Sequence, residues 1–239
     1  MKQKVIFSWS GGKDSAYCLN KVLNEGKYEV VYLLTTLNAD FKRISMHGIK
    51  EELLDAQCES IGIPQLKVWV SQGSNEEYED QMRAILFNAK EEGIDAIVFG
   101  DIFLDDLRKY REQNMAKVGM KAIFPIWKID TKELIKDFIG SGFETILCCV
   151  NDAYLDESWV GRKIDAQFLN ELPNFVDSCG ENGEYHTFCY AGPIFKKDFQ
   201  IIEKEKVYKP LPPEVIDSIC VSESVYKTKG FWFIELDLN

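Results

Sequence analysis

The sequence predicts an α/β protein with a doubly wound parallel sheet, followed by a smaller α+β part. Short apolar runs alternate with segments of helical periodicity over residues 1–150. Such runs are typical of parallel strands, which are covered on both faces and separated by amphipathic helices. After residue 150, glycine, asparagine and aromatic residues cluster instead. This change predicts two domains, residues 1–150 and 151–239.

The elements follow one another in a βαβ pattern. Six continuous apolar runs are predicted strands: 4–8, 29–34, 66–70, 95–99, 122–127 and 143–150. Five segments with apolar residues at helical spacing are predicted helices: 14–23, 49–61, 75–91, 104–115 and 131–139. The tail beyond these segments looks rich in strands, at 199–208, 215–225 and 230–238. This tail could supply the interface of a homo-oligomer.

Composition and charge exclude several classes of protein. The chain has 239 residues, and its 46% hydrophobic and 28% charged residues are ordinary for a globular protein. The run Val5–Phe7 is too short for a signal peptide, and the sequence holds no run of about 20 apolar residues that would span a bilayer. We therefore expect a cytoplasmic protein with no membrane partner. A net charge of −11 makes nucleic acid an unfavourable partner, because phosphate-contacting surfaces are basic.

The cysteine pattern argues against a metal or disulfide scaffold. Seven cysteines are scattered without a CxxC pair, and the chain has only two histidines. Zinc sites need paired ligands of these types. The thiols are therefore predicted to be small buried side chains.

A glycine-containing loop joins the first strand to the first helix. Its residues are Ser10, Gly11, Gly12, Lys13, Asp14 and Ser15. The glycines let the backbone approach phosphate oxygens, and the helix N-terminus offers free N–H groups and a positive dipole end. Lys13 adds a mobile positive charge, and Asp14 suits a magnesium ion that bridges phosphates. The spacing is neither GxxxxGK[ST] nor GxGxxG, so the remaining alternative is an ordinary strand–turn–helix with a capping serine.

A second polar cluster lies in the glycine-rich part. It comprises Glu181, Asn182, Gly183, Glu184, Tyr185, His186 and Thr187. If this stretch is extended, alternation places Glu184 and His186 on one face and Tyr185 and Thr187 on the other. The alternative interpretation is a surface turn whose charges are solvated.

Three further residues are expected to line the same crevice. His47 follows the second strand, and Gly100 and Asp101 follow the fourth. Ligands of open α/β sheets bind outside the carboxyl ends of the strands. Arg108 and Arg111, three residues apart, could meet an anionic group. The alternatives are that Asp101 serves a helix dipole, that His47 has no ligand role and that both arginines are solvated.

The loop Ser10-Gly-Gly-Lys-Asp-Ser15 resembles the PP-loop of the N-type ATP pyrophosphatases. That resemblance implies a sheet of the adenine-nucleotide alpha-hydrolase (HUP) type. It also implies cleavage of ATP between the α and β phosphates, release of pyrophosphate and transfer of AMP to a substrate oxygen.

The loop and the second cluster together resemble the diphthine–ammonia ligase family, also called the ATP-binding domain 4 family, over essentially the whole chain. The form Glu181-Asn-Gly-Glu-Tyr-His-Thr187 looks more like a bacterial branch with a proposed link to corrinoid salvage. Members that form diphthamide have a second glycine and an acidic residue where this chain has Asn182 and His186. The substrate is therefore open between diphthine, a corrinoid and another carboxylate.

The resemblance implies roles for the site residues. ATP and Mg²⁺ are the expected cofactors, with phosphates on the 10–15 loop and adenine near Thr35 and Thr36. Lys13 would stabilise the departing pyrophosphate, and Asp14 would hold the metal. The further expected cofactor contacts are His47, Gly100 and Asp101, and the expected substrate contacts are Asn182, Gly183, Tyr185, Thr187 and Arg108.

The expected reaction is amidation of a small-molecule or protein-borne carboxylate with ammonia or an amine. Glu181, Glu184 or His186 would orient the amine or accept its proton, and spacing does not decide which one. Two other functions fit the loop. One is a tRNA-sulfurating PP-loop enzyme, which would need redox-active or cluster-binding cysteines. The other is a non-catalytic ATP-binding sensor, which would need no carboxylate cluster.

Overall fold

A computed structural model of the chain describes residues 2–44, 47–71, 75–197, 199–212 and 227–239. The side chains of residues 75–77 are outside this description. The strand predicted at 215–225, together with Ser45 and Met46, lies outside the described residues.

The first part of the chain forms a five-stranded parallel sheet. Its strands are β1 (Gln3–Ser8), β2 (Tyr28–Asn38), β3 (Gln65–Val70), β4 (Ala96–Val98) and β5 (Lys121–Ile123). They are ordered β3-β2-β1-β4-β5, and every neighbouring pair is parallel. The predicted α/β fold class is confirmed. Because the strand order reverses at β1, the carboxyl ends of β1 and β4 flank the crevice in which such sheets bind ligands.

Six helices accompany the strands in the described ranges. They are α1 (Lys13–Glu25), α2 (Glu51–Ile61), α3 (Asn75–Glu91), α4 (Asp105–Lys117), α5 (Thr131–Gly140) and α6 (Ala166–Glu171), and a 3₁₀ turn spans Glu157–Trp159. α1 ends at Gly26, whose left-handed conformation (φ 65°) suits glycine. α5 begins after Asp130, whose carboxylate accepts from the N–H groups of Lys132 and Glu133. None of the helices in the described part of the chain is both long and apolar enough to span a bilayer.

The parallel sheet is covered on both faces. One cluster of buried residues lies under α3 and α4 and includes Ile6, Leu34, Leu86, Ile97 and Met115. A larger cluster lies on the opposite face under α1, α2 and α5. This double coverage explains why the strands read as continuous apolar runs.

The second part forms a four-stranded antiparallel sheet. Its strands are β6 (Glu144–Asn151), β7 (Tyr185–Ala191), β8 (Ile201–Pro210) and β9 (Gly230–Leu238), in the order β7-β6-β9-β8. β6, which the sequence interpretation assigns to the first domain, pairs with β7 and β9 in this sheet. The chain therefore changes sheet between β5 and β6, and a domain boundary at residue 150 stays a prediction.

Three local predictions differ from the structure. β2 continues to Asn38, so Thr35 and Thr36 lie inside the strand and not beyond its end. β5 stops at Ile123, because residues 124–127 form a turn in which the Trp127 N–H donates to the Phe124 carbonyl (3.3 Å). α6 was not predicted from periodicity, and the Asp165 side chain starts it by accepting from the Phe168 N–H (2.8 Å).

The two sheets share one hydrophobic core. The larger cluster includes Phe7 and Leu19 of the first part together with Ile146 and Phe188 of the second. β7 lies directly against the loop that precedes α1, since the Cys189 N–H donates to the Gly11 carbonyl (2.9 Å). The antiparallel sheet thus forms a wall of the crevice at the end of β1.

Gln57 on α2 joins this loop to β7. The fully buried amide nitrogen donates to the carbonyls of Gly11 (2.9 Å) and Cys189, and the amide oxygen accepts from Trp9 Nε1 (3.1 Å). Gly11 has φ 78°, and a Cβ there would lie 2.6 Å from the Gln57 amide oxygen. One side chain therefore holds the loop, the neighbouring strand and Trp9 in a fixed arrangement.

We expect Gln57→Leu to lower the free energy of unfolding by about 1–3 kcal/mol, because it leaves buried polar groups without partners. Chemical denaturation of the purified protein measures the change. The matched control is Gln167→Leu, at an exposed position of α6 where, among the described residues, the amide bonds Glu171 alone. Equal stability losses in the two variants would show that Gln57 does not hold the loop.

Candidate active site

A cavity of about 860 Å³ opens at the carboxyl ends of β1 and β4. The 10–15 loop, the segment after β4 and the 179–187 stretch form its polar end, and facing side chains of α3 and α4 form its apolar end. Its size and its mixture of apolar wall and convergent polar groups are typical of small-molecule sites. The sequence predicted that the loop and the 179–187 stretch would meet, and the structure brings them together.

The loop has the shape of an anion cradle. α1 begins at Lys13, so the N–H groups of its first turn, which have no intrahelical acceptor, lie at the cavity. A Cβ on Gly12 would lie 2.9 Å from His47 Cε1 and 3.0 Å from the Thr187 carbonyl, so only glycine fits there. Ser10 Oγ lies 3.1 Å from Ser15 Oγ, which donates to the Gly12 carbonyl (2.9 Å).

Lys13 lies at the centre of the site, with only 2% of its surface exposed. Its ammonium donates to Asp14 Oδ2 (2.8 Å) and to the Cys179 carbonyl, and it stands 5.1 Å from the centre of the Tyr185 ring. Burial alone would lower the pKa of Lys13, but the charges of Asp14 and Glu181 outweigh it and the pKa is raised. The expectation of a mobile lysine is therefore wrong, because contacts from three directions fix this charge.

The Lys13 backbone is tied to the second sheet as well. Its N–H donates to Thr187 Oγ1 at 2.9 Å. Tyr185 is buried, with its hydroxyl donating to the Ser178 carbonyl (2.6 Å) and its ring beneath Lys13. Thr187 and Tyr185 therefore position the loop and its lysine.

Asp14 has an oxygen that fits a cation. Asp14 Oδ1 is buried and has no hydrogen-bond partner among the described residues, whereas Oδ2 accepts from Lys13. Within the described ranges, no group of three or more His, Cys, Asp or Glu side chains is arranged to hold a metal by itself. Mg²⁺ commonly uses one or two carboxylates and completes its coordination with phosphate oxygens and water. Asp14 therefore fits a magnesium ion that arrives with a nucleotide.

Asp101 forms an ion pair with Arg111, with Arg111 Nε 2.6 Å from Asp101 Oδ2. Burial raises the pKa of Asp101, Arg111 opposes that rise and the charge of Asp14 adds to it. The Arg111 guanidinium also stands 4.4 Å from the centre of the Phe99 ring. Gly100 lies against Asp14, where a Cβ would be 3.3 Å from the Asp14 carbonyl.

Arg108 lies away from the predicted substrate region. Its guanidinium is held between the rings of Phe124 (4.9 Å) and Trp127 (4.7 Å), and its Nε bonds Glu112 (2.7 Å). Arg111, one helical turn further on, lines the cavity instead, as does Arg83 of α3.

Glu184 is almost fully buried and orders the backbone of the 177–184 turn. Oε1 accepts from the Asp177 N–H (2.9 Å) and the Asn182 amide (3.0 Å), and Oε2 accepts from the Asn182 N–H (2.9 Å). Gly183, with φ 83°, completes the turn. Glu184 and the Asn182 side chain are thus bonded to each other, and of the two only Asn182 lines the cavity.

Glu181 is the carboxylate of this turn that lines the cavity. Burial and the charge of Asp14 raise its pKa to about 7, although Lys13 and a hydrogen bond from the Ile102 backbone oppose the rise. A carboxyl group with such a pKa exchanges a proton readily at neutral pH.

The two histidine rings lie against each other at a tilt of 38°. The His47 and His186 ring centres are 4.9 Å apart, and His47 Nδ1 lies 3.0 Å from the Thr187 carbonyl. His186 Nε2 is buried and has no hydrogen-bond partner within the described part of the chain. Burial, the other ring and Lys13 lower the pKa of His186 to about 3, and burial lowers that of His47. Both rings are therefore neutral at physiological pH.

Thr35 and Thr36, the predicted adenine contacts, both line the cavity but make different contacts. Thr35 is buried, and its hydroxyl donates to the Trp9 carbonyl (2.8 Å), which supports the loop. Thr36 lines the cavity together with Tyr78 of α3.

Sequence reasoning missed Gln57 and the role of α3, and it did not separate Arg111 from Arg108. One signal was present for Gln57, which shares the apolar face of α2 with Leu53, Leu54 and Cys58 at helical spacing. A glutamine on such a face needs internal hydrogen bonds. Nothing in the local pattern of α3 indicated that Tyr78 and Met82 reach the cavity.

Comparison with known proteins identifies relatives over most of the chain. The family profile of the diphthamide synthase N-terminal domain matches residues 2–122, and that of the diphthamide synthase C-terminal domain matches residues 130–211. The diphthine–ammonia ligase of Danio rerio is 26% identical over 85% of this chain and 88% of its own length. Those of Rattus norvegicus and Homo sapiens are 26% and 25% identical over 83% of this chain and 82% of their own lengths.

One solved structure is also similar in part. The U34-tRNA thiolase NcsA from Methanococcus maripaludis, with its 4Fe-4S cluster, matches 58% of this chain and 58% of its own at 22% identity. The TM-score is 0.34.

The raised pKa of Glu181 predicts a pH-dependent penalty on stability. In the unfolded chain the carboxyl titrates near 4.5, and in the folded chain near 7, so the folded state holds the extra proton between these values. The free energy of unfolding should therefore fall as pH rises through this window, relative to Glu181→Gln. Urea denaturation of both proteins across the window measures the difference. A constant difference would contradict the assigned environment.

Proposed function

The chain belongs to the diphthamide synthase family and is an enzyme of the ligase class; on that premise we propose that it joins a carboxylate to ammonia or an amine at the expense of ATP. The carboxylate is first adenylated with release of pyrophosphate. ATP and Mg²⁺ are the proposed cofactors. A homo-oligomer and a cytoplasmic location stay predictions.

The observation that carries this proposal is the meeting of the phosphate loop and the 179–187 stretch around Lys13. The Lys13 N–H bonds Thr187, and its ammonium bonds the Cys179 carbonyl. A site that only held ATP would need the loop alone. Here the Glu181 carboxylate and the His186 imidazole, both from the second part of the chain, face the same cavity, as a second reactant beside the phosphates requires.

Lys13 and the start of α1 act on the phosphates. The N–H groups of the first turn and the fixed ammonium provide positive charge where negative charge develops on the leaving pyrophosphate. Because Lys13 is already oriented by Asp14, Cys179 and Tyr185, little reorganisation accompanies the reaction. Asp14 would hold Mg²⁺, which neutralises phosphate charge when bound.

Glu181 is the proposed proton acceptor. The nitrogen of ammonia forms a bond to the activated carbonyl carbon, the bond from that carbon to the AMP oxygen breaks, and AMP leaves with the electron pair. One N–H proton passes to the Glu181 carboxylate. Glu184 is a positioning residue in this scheme, since its two oxygens hold the turn that presents Glu181.

The proposed carboxylate substrate is either diphthine on a protein or a corrinoid acid. Related ligases are named for diphthine. The 181–187 stretch resembles a bacterial form, and this resemblance is the argument for the corrinoid. Asn182 and His186, the two residues that differ from the diphthamide-forming members, both line the cavity, and the Asn182 amide also bonds Glu184. Separate assays with each kind of acid distinguish the two sources.

We expect ATP, Mg²⁺ and a suitable carboxylic acid to yield AMP and pyrophosphate, which a coupled assay for pyrophosphate detects. Lys13→Met should lower turnover by about 100-fold to 1,000-fold, as the loss of one preorganised charge does elsewhere. Lys21→Met is the matched control, because Lys21 lies on the same helix and pairs only with Glu25 in the described structure. Formation of ADP and phosphate would contradict the proposal.

A further inference from the structure

The polar end of the cavity contains a ring nitrogen that the scheme above does not use. His186 Nε2 is buried, faces no hydrogen-bond partner in the described residues and belongs to a ring that lines the cavity. A buried polar atom without a partner is uncommon in native proteins and often marks the place of a ligand. The ligand that fits must match the charge and the tautomer of this histidine pair.

The neighbouring histidine fixes one tautomer. The Thr187 carbonyl can only accept, so His47 Nδ1 must donate to it across the 3.0 Å contact. In the neutral ring, His47 Nε2 is then an acceptor. His47 Cε1 lies over Gly12, where a Cβ would be 2.9 Å away, so this ring stands at the edge of the phosphate loop.

The charge around the pair selects a neutral ligand. The positive charge of Lys13 acts on both rings and opposes a second cation beside them. A neutral molecule that donates N–H bonds avoids that repulsion. Ammonia has three N–H donors and one lone pair, so it can donate to an imidazole nitrogen and keep the lone pair free for attack.

We propose that His186 Nε2, beside the His47 ring, is the binding site for the ammonia that the enzyme joins to the activated carboxylate. The inference rests on the proposed function and deepens it. It separates two roles: His186 binds and orients the neutral amine, and Glu181 accepts the proton. The fixed place of His186 on β7 sets the amine beside His47, whose ring borders the phosphate loop at Gly12.

Nuclear magnetic resonance tests the site without the carboxylate substrate. Because His47 and His186 are the only histidines, ¹⁵N labelling of histidine gives two easily assigned rings. We expect His186 to carry its proton on Nδ1 and its Nε2 signal to shift with added ammonium chloride, increasingly as pH and free ammonia rise. Potassium chloride at equal ionic strength is the control. An Nε2–H tautomer, or equal responses to both salts, would overturn the inference.

Kinetics separates this site from ATP chemistry. His186→Phe should raise the ammonium concentration for half-maximal amidation about tenfold, the effect of losing one hydrogen bond. Exchange of labelled pyrophosphate into ATP with the same acid should be unchanged. His186→Gln restores an acceptor. The ammonium concentration for half-maximal amidation should therefore lie between those of His186→Phe and the unaltered protein. The control is Tyr190→Phe, on the same strand with its hydroxyl directed at Glu144.

These experiments distinguish a failure of the proposed ligase function from a failure of the ammonia site. If no acid supports pyrophosphate exchange in the unaltered protein, the proposed function fails while the resonance test still decides the ammonia site. If His186→Phe weakens ATP-dependent exchange and leaves the ammonium dependence unchanged, the histidine serves the nucleotide and the inference fails.

Discussion

The contact between the start of α1 and β7 is the constraint on which the rest of the site depends. The Lys13 N–H bonds Thr187, the Cys189 N–H bonds the Gly11 carbonyl, and Gln57 bonds both the loop and the strand. The parallel sheet supplies the helix N-terminus that can hold phosphate. The antiparallel sheet supplies the side chains that can meet a second reactant. Because the loop is bonded to both, their relative position is set before any ligand binds.

This arrangement also divides the site electrostatically. Three carboxylates, Asp14, Asp101 and Glu181, form one group near Lys13, where burial and mutual repulsion raise the pKa values of Asp101 and Glu181. A second group, His47 and His186, is kept neutral by burial and by the lysine charge. A proton acceptor and an uncharged amine site can therefore coexist around one fixed cation. The net charge of the chain, −11, gives no hint of this local division.

The sequence predicted the fold class and the two stretches that form the site, because strand–helix alternation and glycine-rich loops are local patterns. It did not separate Glu181 from Glu184, since only the turn at 177–184 shows that Glu184 bonds backbone N–H groups while Glu181 faces the cavity. Likewise, Arg108 and Arg111 lie one helical turn apart, and the sequence did not show which of them faces the cavity. The rings that hold Arg108 away from it belong to residues 124 and 127, outside α4. Such choices depend on contacts between distant segments, which local periodicity does not encode.

The central claim is that the 10–15 loop and the 179–187 stretch form one site, so a nucleotide bound at the loop also stabilises the stretch bonded to it. Hydrogen-exchange mass spectrometry of the protein with and without Mg-ATP tests it most directly. Peptides that cover residues 10–15 and 179–187 should both exchange more slowly with the nucleotide bound, whereas β8, at the far edge of the second sheet, should not change. Protection confined to the 10–15 loop would contradict the claim that the two stretches form one site.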